Sequence, residues 1–141
     1  MATNADQCAV DTSVAVAALD AAHGAHAACR SVVQMRRPCL SGHAAFETFS
    51  VLTRMPGQLA VDGPTAGLII KRVFPVVCWL DSEAASALLS RLGPVGITGG
   101  AVYDALVGEA ARVNGRRLLT RDQRARRTYD FLGVDYELIG D

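Results

Sequence analysis

Short apolar runs recur along this chain, each too brief for a buried helix and each separated from the next by longer amphipathic stretches. The runs are Cys8-Ala9-Val10, Cys39-Leu40, Val76-Val77-Cys78-Trp79, Leu118-Leu119 and Tyr136-Glu137-Leu138-Ile139. Runs of this length, apolar rather than alternating, read as strands covered on both faces. The stretches between them carry helix start and stop signals. Their spacing predicts helices over about 13–20, 26–36, 43–54, 62–74, 81–92, 100–114 and 122–132. Ser41 is expected to cap the third helix and Met55-Pro56-Gly57 to end it. Asp62 or Thr65 opens the fourth, which Pro75 closes. Asp81 caps the fifth, with Gly93-Pro94 as its break, and Gly115 takes the C-terminal position of the sixth. The resulting β-α-α-β-α-α-β-α-α-β-α-β order implies a three-layer α/β/α domain built on a short parallel sheet.

At 141 residues the chain is long enough for one domain, 1–141, and too short for two. Hydrophobic residues at 50% against 20% charged exclude intrinsic disorder. The start lacks the basic segment of a signal peptide, its first basic residue being Arg30, and no apolar run approaches the ~20 residues that span a bilayer. A cytoplasmic protein without membrane association is expected. Cys8, Cys29, Cys39 and Cys78 form no C-x-x-C pair and read as small core residues. His23 and His26 read as a solvated helix start. Neither a phosphate-binding G-x-x-x-x-G-K-[ST] loop nor a G-x-S-x-G elbow occurs. Trp79 reads as strand packing. With only 6% aromatic residues, recognition of RNA bases by stacking is not expected.

Four carboxylates fall where a parallel sheet brings distant segments together. Asp11 ends the first strand and Asp122 follows the fourth. Sites in open parallel sheets form beyond the carboxyl ends of strands, where strand order reverses. Glu47 shares a helix face with His43, Ser50 and Arg54, while Phe46, Phe49 and Leu52 take another face. Asp104 lies in the first turns of its helix. Each acid alone could cap a helix or complement a helix dipole. As a set they suggest an all-oxygen pocket that needs positive charge at its centre. Such a pocket suits Mg²⁺ or Mn²⁺ rather than zinc.

The ordered segments Val10-Asp11-Thr12-Ser13, Ala45-Phe46-Glu47-Thr48-Phe49, Tyr103-Asp104-Ala105-Leu106-Val107 and Leu119-Thr120-Arg121-Asp122 resemble the PIN-domain family, and within it the VapC-type ribonuclease toxins. The likeness in order, spacing and length covers essentially the whole chain. It implies sheet order 3-2-1-4-5 and a Mg²⁺- or Mn²⁺-dependent RNase site made of Asp11, Glu47, Asp104 and Asp122. The family hydroxyls correspond to Thr12 or Ser13 and to Thr120. It further implies cleavage of RNA such as tRNA or rRNA, a VapB-type antitoxin partner, and homodimerisation.

The basic residues are unevenly spread. Although 14 basic residues balance 14 acidic ones, seven arginines fall between Arg112 and Arg127 with Asp122 the lone acid. Half the basic charge thus lies beside the proposed pocket. Arg121, Arg124 and Arg127 are candidate RNA phosphate contacts, against a solvated face or pairing with Asp130, Asp135 and Glu137. Two other classes remain open. One is a non-catalytic RNA- or protein-binding module. The other is a receiver-type signalling domain, which needs a lysine near the acids where this chain has only Lys71, in mid-helix.

Overall fold

The computed structural model describes residues 4–54 and 61–140. In chain order it contains β1 (Asn4–Val10), α1 (Thr12–Leu19), α2 (His26–Arg36), β2 (Cys39–Ser41), α3 (Ala44–Arg54), α4 (Gly63–Val73), β3 (Val77–Cys78), α5 (Ser82–Val95), α6 (Ala101–Val113), β4 (Arg116–Thr120), α7 (Arg126–Leu132) and β5 (Tyr136–Leu138). All pairings are parallel and the sheet runs β3-β2-β1-β4-β5. The α/β/α architecture and the strand order are therefore those expected. The Met55-Pro56-Gly57 stop lies outside the described residues.

Burial explains the uninterrupted apolar runs. Ala9, Val10, Leu40, Leu118 and Leu119 are sealed from solvent, since helices cover both faces of the central strands. Val14, Ala15, Ala17 and Ala18 bury most of α1, and their small size lets that helix pack closely. All four cysteines are buried and none of them forms a disulfide. On β1 and β4 the register pairs Val10 with Leu119, so the chain leaves both strands side by side.

Several local expectations give way to tertiary context. β1 begins at Asn4, extended past its polar residues by pairing with β4 through a register shift between Asn4 and Cys8. Ser41 is not a helix cap. It closes β2, fully buried, and its hydroxyl donates to the Val107 carbonyl at 2.7 Å. Asp62 and Asp81 do cap α4 and α5, accepting from Thr65 N and Ala84 N. Gly93-Pro94 does not break α5. The helix runs on to Val95 and ends at Gly96, whose φ of +76° provides the left-handed turn. The last helix begins at Arg126 rather than Asp122. The Asp122 carboxylate instead accepts from Arg124 N at 2.9 Å, a local turn that competes with helix. His26 is half-buried rather than solvated, and its Nδ1 lies 2.9 Å from the Ala17 carbonyl.

Ion pairs brace the periphery. Glu109, buried on α6, receives Arg112 from its own helix at 2.6 Å and Arg91 from α5 at 3.0 Å. Burial alone would push its carboxyl up, but the two guanidinium groups hold it below the ordinary range. No helix among the described residues is long and apolar enough to cross a membrane.

Candidate active site

Strand order reverses between β1 and β4, because β1 connects onward to β2 on one side and pairs with β4 on the other. Asp11 leaves β1 there, with its N–H bonded to the Leu119 carbonyl at 3.2 Å. Its side chain caps α1 by accepting from Val14 N at 3.2 Å. The capping role and a place at the sheet's carboxyl end thus coincide in one residue.

A lattice of hydroxyls holds the acids. Ser13 Oγ donates to Asp11 Oδ1 at 2.5 Å and accepts from Arg121 N at 2.8 Å. Thr120 Oγ1 donates to Asp11 Oδ2 and accepts from Asp122 N at 3.0 Å, so one buried hydroxyl links the two acids. Thr12 Oγ1 donates to Glu47 Oε1 at 3.1 Å and ties α3 to the start of α1. Tyr129, fully buried on α7, donates its phenol proton to Asp11 Oδ2 at 3.1 Å.

Asp11, Glu47, Asp104 and Asp122 line a single cleft of about 890 Å³ with Thr12, Ser13, His43, Ser50, Arg54, Tyr103 and Arg124. Their mutual field is strong. Burial pushes the Asp104 carboxyl up, and the charges of Asp122, Glu47 and Asp11 push it further, to about 6, against the opposing pull of Arg124. Burial also raises Asp11, while the hydrogen bonds from Ser13, Thr120, Val14 and Tyr129 favour its ionised form. Among the described residues no three His, Cys, Asp or Glu side chains close tightly enough to grip a metal ion by themselves.

The arginines divide. Arg124 lines the cleft. Arg121 contributes its backbone N–H to Ser13. Arg127 lies outside the cleft lining, its guanidinium 5.5 Å from the centre of the Phe131 ring. Arg112 and Arg117 pair with Glu109 and Asp135, and Arg126 meets Tyr136 and Gln123. Lys71 is exposed on α4 and does not line the cleft, which removes the lysine a receiver-type site requires.

Phe46 departs from the expected face. The stripe that docks α3 is Ala44, Thr48 and Leu52, and Phe46 stands 62% exposed at the cleft. Tyr129 was not among the sequence candidates. Its signal was the inward stripe Ala125, Tyr129, Leu132, in which a lone polar tip on a buried face needs a partner.

The PIN domain family model matches residues 8–130, and the chain belongs to that family. Its relatives include Ribonuclease VapC27 of Mycobacterium tuberculosis, 44% identical over 126 residues, covering 89% of this chain and 92% of the relative. Ribonuclease VapC40 of the same species is 40% identical over 136 residues, covering 93% and 98%. Both are of the VapC type implied by the four motif segments.

Proposed function

We propose that this chain is a divalent-metal-dependent endoribonuclease, the toxin of a VapBC-type pair. The observation that carries the reading is the convergence of four carboxylates from four segments on one cleft, where burial first and the other three acids second push Asp104 up to about 6. Repulsion of this kind is relieved by a cation. The donors are all oxygen, which fits Mg²⁺ or Mn²⁺. Mg²⁺ commonly keeps several waters and uses only one or two protein carboxylates. A loose acidic cleft, rather than a tight cage, is therefore compatible with it. Asp11 and Asp122 would hold the ion, with Asp104 supporting. When bound, such an ion neutralises phosphate oxygens and makes water more acidic.

The protein's own groups have distinct tasks in this reading. Thr120 keeps Asp11 and Asp122 in fixed relation, Tyr129 donates to the same Asp11 oxygen as Thr120, and Ser13 holds the other. Glu47, fixed by Thr12, is the group that would help to hold the ion or orient the attacking water. Arg124 at the cleft would meet a substrate phosphate. The relatives named as ribonucleases support RNA as the substrate. Their VapC names support a VapB-type antitoxin as partner. We extend the reading to tRNA or rRNA as target, to a homodimer, and to a cytoplasmic location. Leu68 on α4 and Leu89 on α5 are exposed and are available to a protein partner.

Asp122→Asn is the cleaner test, because Asp11 is buried at the hub of the hydroxyl lattice and its loss would disturb the fold. The variant is expected to keep the far-ultraviolet spectrum of the parent and lose Mg²⁺- or Mn²⁺-dependent RNA cleavage. Cleavage undiminished in that variant, or unaffected by EDTA in the parent, overturns the assignment.

A further inference from the structure

Four rings form a continuous row that begins in the acidic cleft and leads out of it. Tyr103, next to Asp104 on α6, stacks on His43 with ring centres 5.2 Å apart and planes at 21°. His43 meets Phe46 at 5.9 Å. Phe46, next to Glu47 on α3, meets Trp79 at 5.5 Å and 48°. Trp79 follows the end of β3, so α6, α3 and the β3–α5 loop all contribute. The sequence reads Trp79 as strand packing, and its low aromatic content argues against base recognition by stacking, because composition does not show that the few rings gather at one place. Trp79 is instead 49% exposed, alongside Phe46 at 62% and Tyr103 at 51%.

The row is not part of what holds the domain together. Ala44, Thr48 and Leu52 already dock α3, and Ala105 and Val107 anchor α6. Three of the chain's eight Phe, Tyr and Trp residues are thus gathered, half in water, at the lip of one cleft. Leaving aromatic area of this kind in water is unfavourable, and ring faces offer a flat, non-directional surface.

The neighbouring chemistry selects what would lie on it. His43, Phe46 and Tyr103 line the same cleft as Glu47, Asp104, Arg54 and Arg124. A ligand that places a phosphate among those charges and a flat apolar face a few ångströms away is a nucleotide whose base is free of a duplex stack. We infer that the Tyr103–His43–Phe46–Trp79 row is a subsite on which unpaired nucleobases beside the scissile phosphate stack. This rests on the ribonuclease reading for the identity of the polymer. Phe46 and Trp79, tilted at 48° to each other, both keep much of their surface open to solvent.

Trp79 is the chain's single tryptophan, so its emission reports on the row directly. The full-length protein in Ca²⁺ is titrated with a ten-nucleotide single-stranded RNA and with a blunt duplex of the same sequence, RNA integrity being checked on a gel. The single strand is expected to quench Trp79 saturably and the duplex to leave it unchanged. Phe46→Ala, at an exposed position that leaves the core intact, should weaken single-strand binding by roughly 5- to 100-fold in anisotropy of labelled RNA, the range for loss of one stacked base. Trp79→Phe, which keeps a ring, should weaken it less. Equal binding of strand and duplex, or unchanged affinity in Phe46→Ala, overturns the inference. So does a Phe46→Ala variant that sediments as a smaller species while binding RNA as before, since the row is then a contact between copies of the chain. Cleavage in Mg²⁺ that persists alongside unchanged affinity in Phe46→Ala removes the subsite and leaves the nuclease reading standing. Saturable quenching by a parent protein that cleaves nothing removes the nuclease reading and leaves the subsite.

Discussion

Asp104→Asn should make the metal-free protein more stable while impairing its metal binding. In the native cleft the Asp104 carboxyl is pushed from its ordinary 3.8 to about 6, first by burial and then by Asp122, Glu47 and Asp11. A displacement of about two pH units corresponds to a ceiling near 3 kcal/mol, at about 1.4 kcal/mol per unit. Asp104 is only half-buried, so solvent screening brings the realistic figure to about 1 kcal/mol. For a domain of this size that is a rise of about 3–4 °C in Tm. The direction with pH follows from which state holds the proton. Between about pH 4 and 6 the native state keeps a proton on Asp104 that the unfolded chain has released, so the parent loses stability as pH rises through that window. Asparagine has no such titration. The advantage of the variant should therefore be absent below pH 4, grow through pH 4–6, and be complete above 6. Thermal unfolding in EDTA across pH 4–8, followed by circular dichroism, measures it. Adding Mg²⁺ should then raise the Tm of the parent more than that of the variant. A variant that melts at or below the parent's temperature at pH 7.5 without metal would refute the idea that the acids strain one another.

Two further perturbations probe the support and the rim of the cleft. A Cβ on Gly108 would stand 2.8 Å from the Tyr129 ring and 3.0 Å from Val134. Gly108→Ala should therefore cost about 1–3 kcal/mol and displace the phenol from Asp11, and an unchanged urea midpoint would contradict this packing. Arg124→Ala should weaken RNA binding and reduce the slope of log affinity against log salt by about 0.7 for a single strand. Arg127→Ala, whose guanidinium sits over Phe131 outside the cleft lining, should leave that slope unchanged, and equal losses in both variants would mean the cleft does not select among the arginines.

The acids and the residues behind them differ in how far they could be read from the chain. Asp11, Glu47, Asp104 and Asp122 were legible because each sits near a strand end or on a helix flank, and their order matches a family pattern. The hydroxyls Thr12, Ser13 and Thr120 came with the same segments. Tyr129 was not legible, because a stripe at helical spacing reports that a face is buried without saying what waits opposite. Phe46 reads from its spacing as lying on a face apart from Glu47, yet both line the cleft, since only docking decides that Ala44, Thr48 and Leu52 turn inward. The arginine cluster read as one feature. In three dimensions its members turn to Glu109, Asp135, Tyr136, Phe131 and the cleft.

Local chemistry in the chain is enough to specify alternating strands and helices, caps at Asp62 and Asp81, and a doubly covered parallel sheet. Those features depend on side-chain period and on groups a few residues apart, which any stretch of chain carries with it. Tertiary structure alone decided that Ser41 and Val107 bond across the core, that α5 continues through Pro94, and that Asp11 meets Thr120 across 109 residues of chain. It also set four rings in a row at the mouth of the cleft. Such outcomes depend on which strands become neighbours and how helices seat against them, and those choices are made by the packing of the whole core rather than by any segment within it.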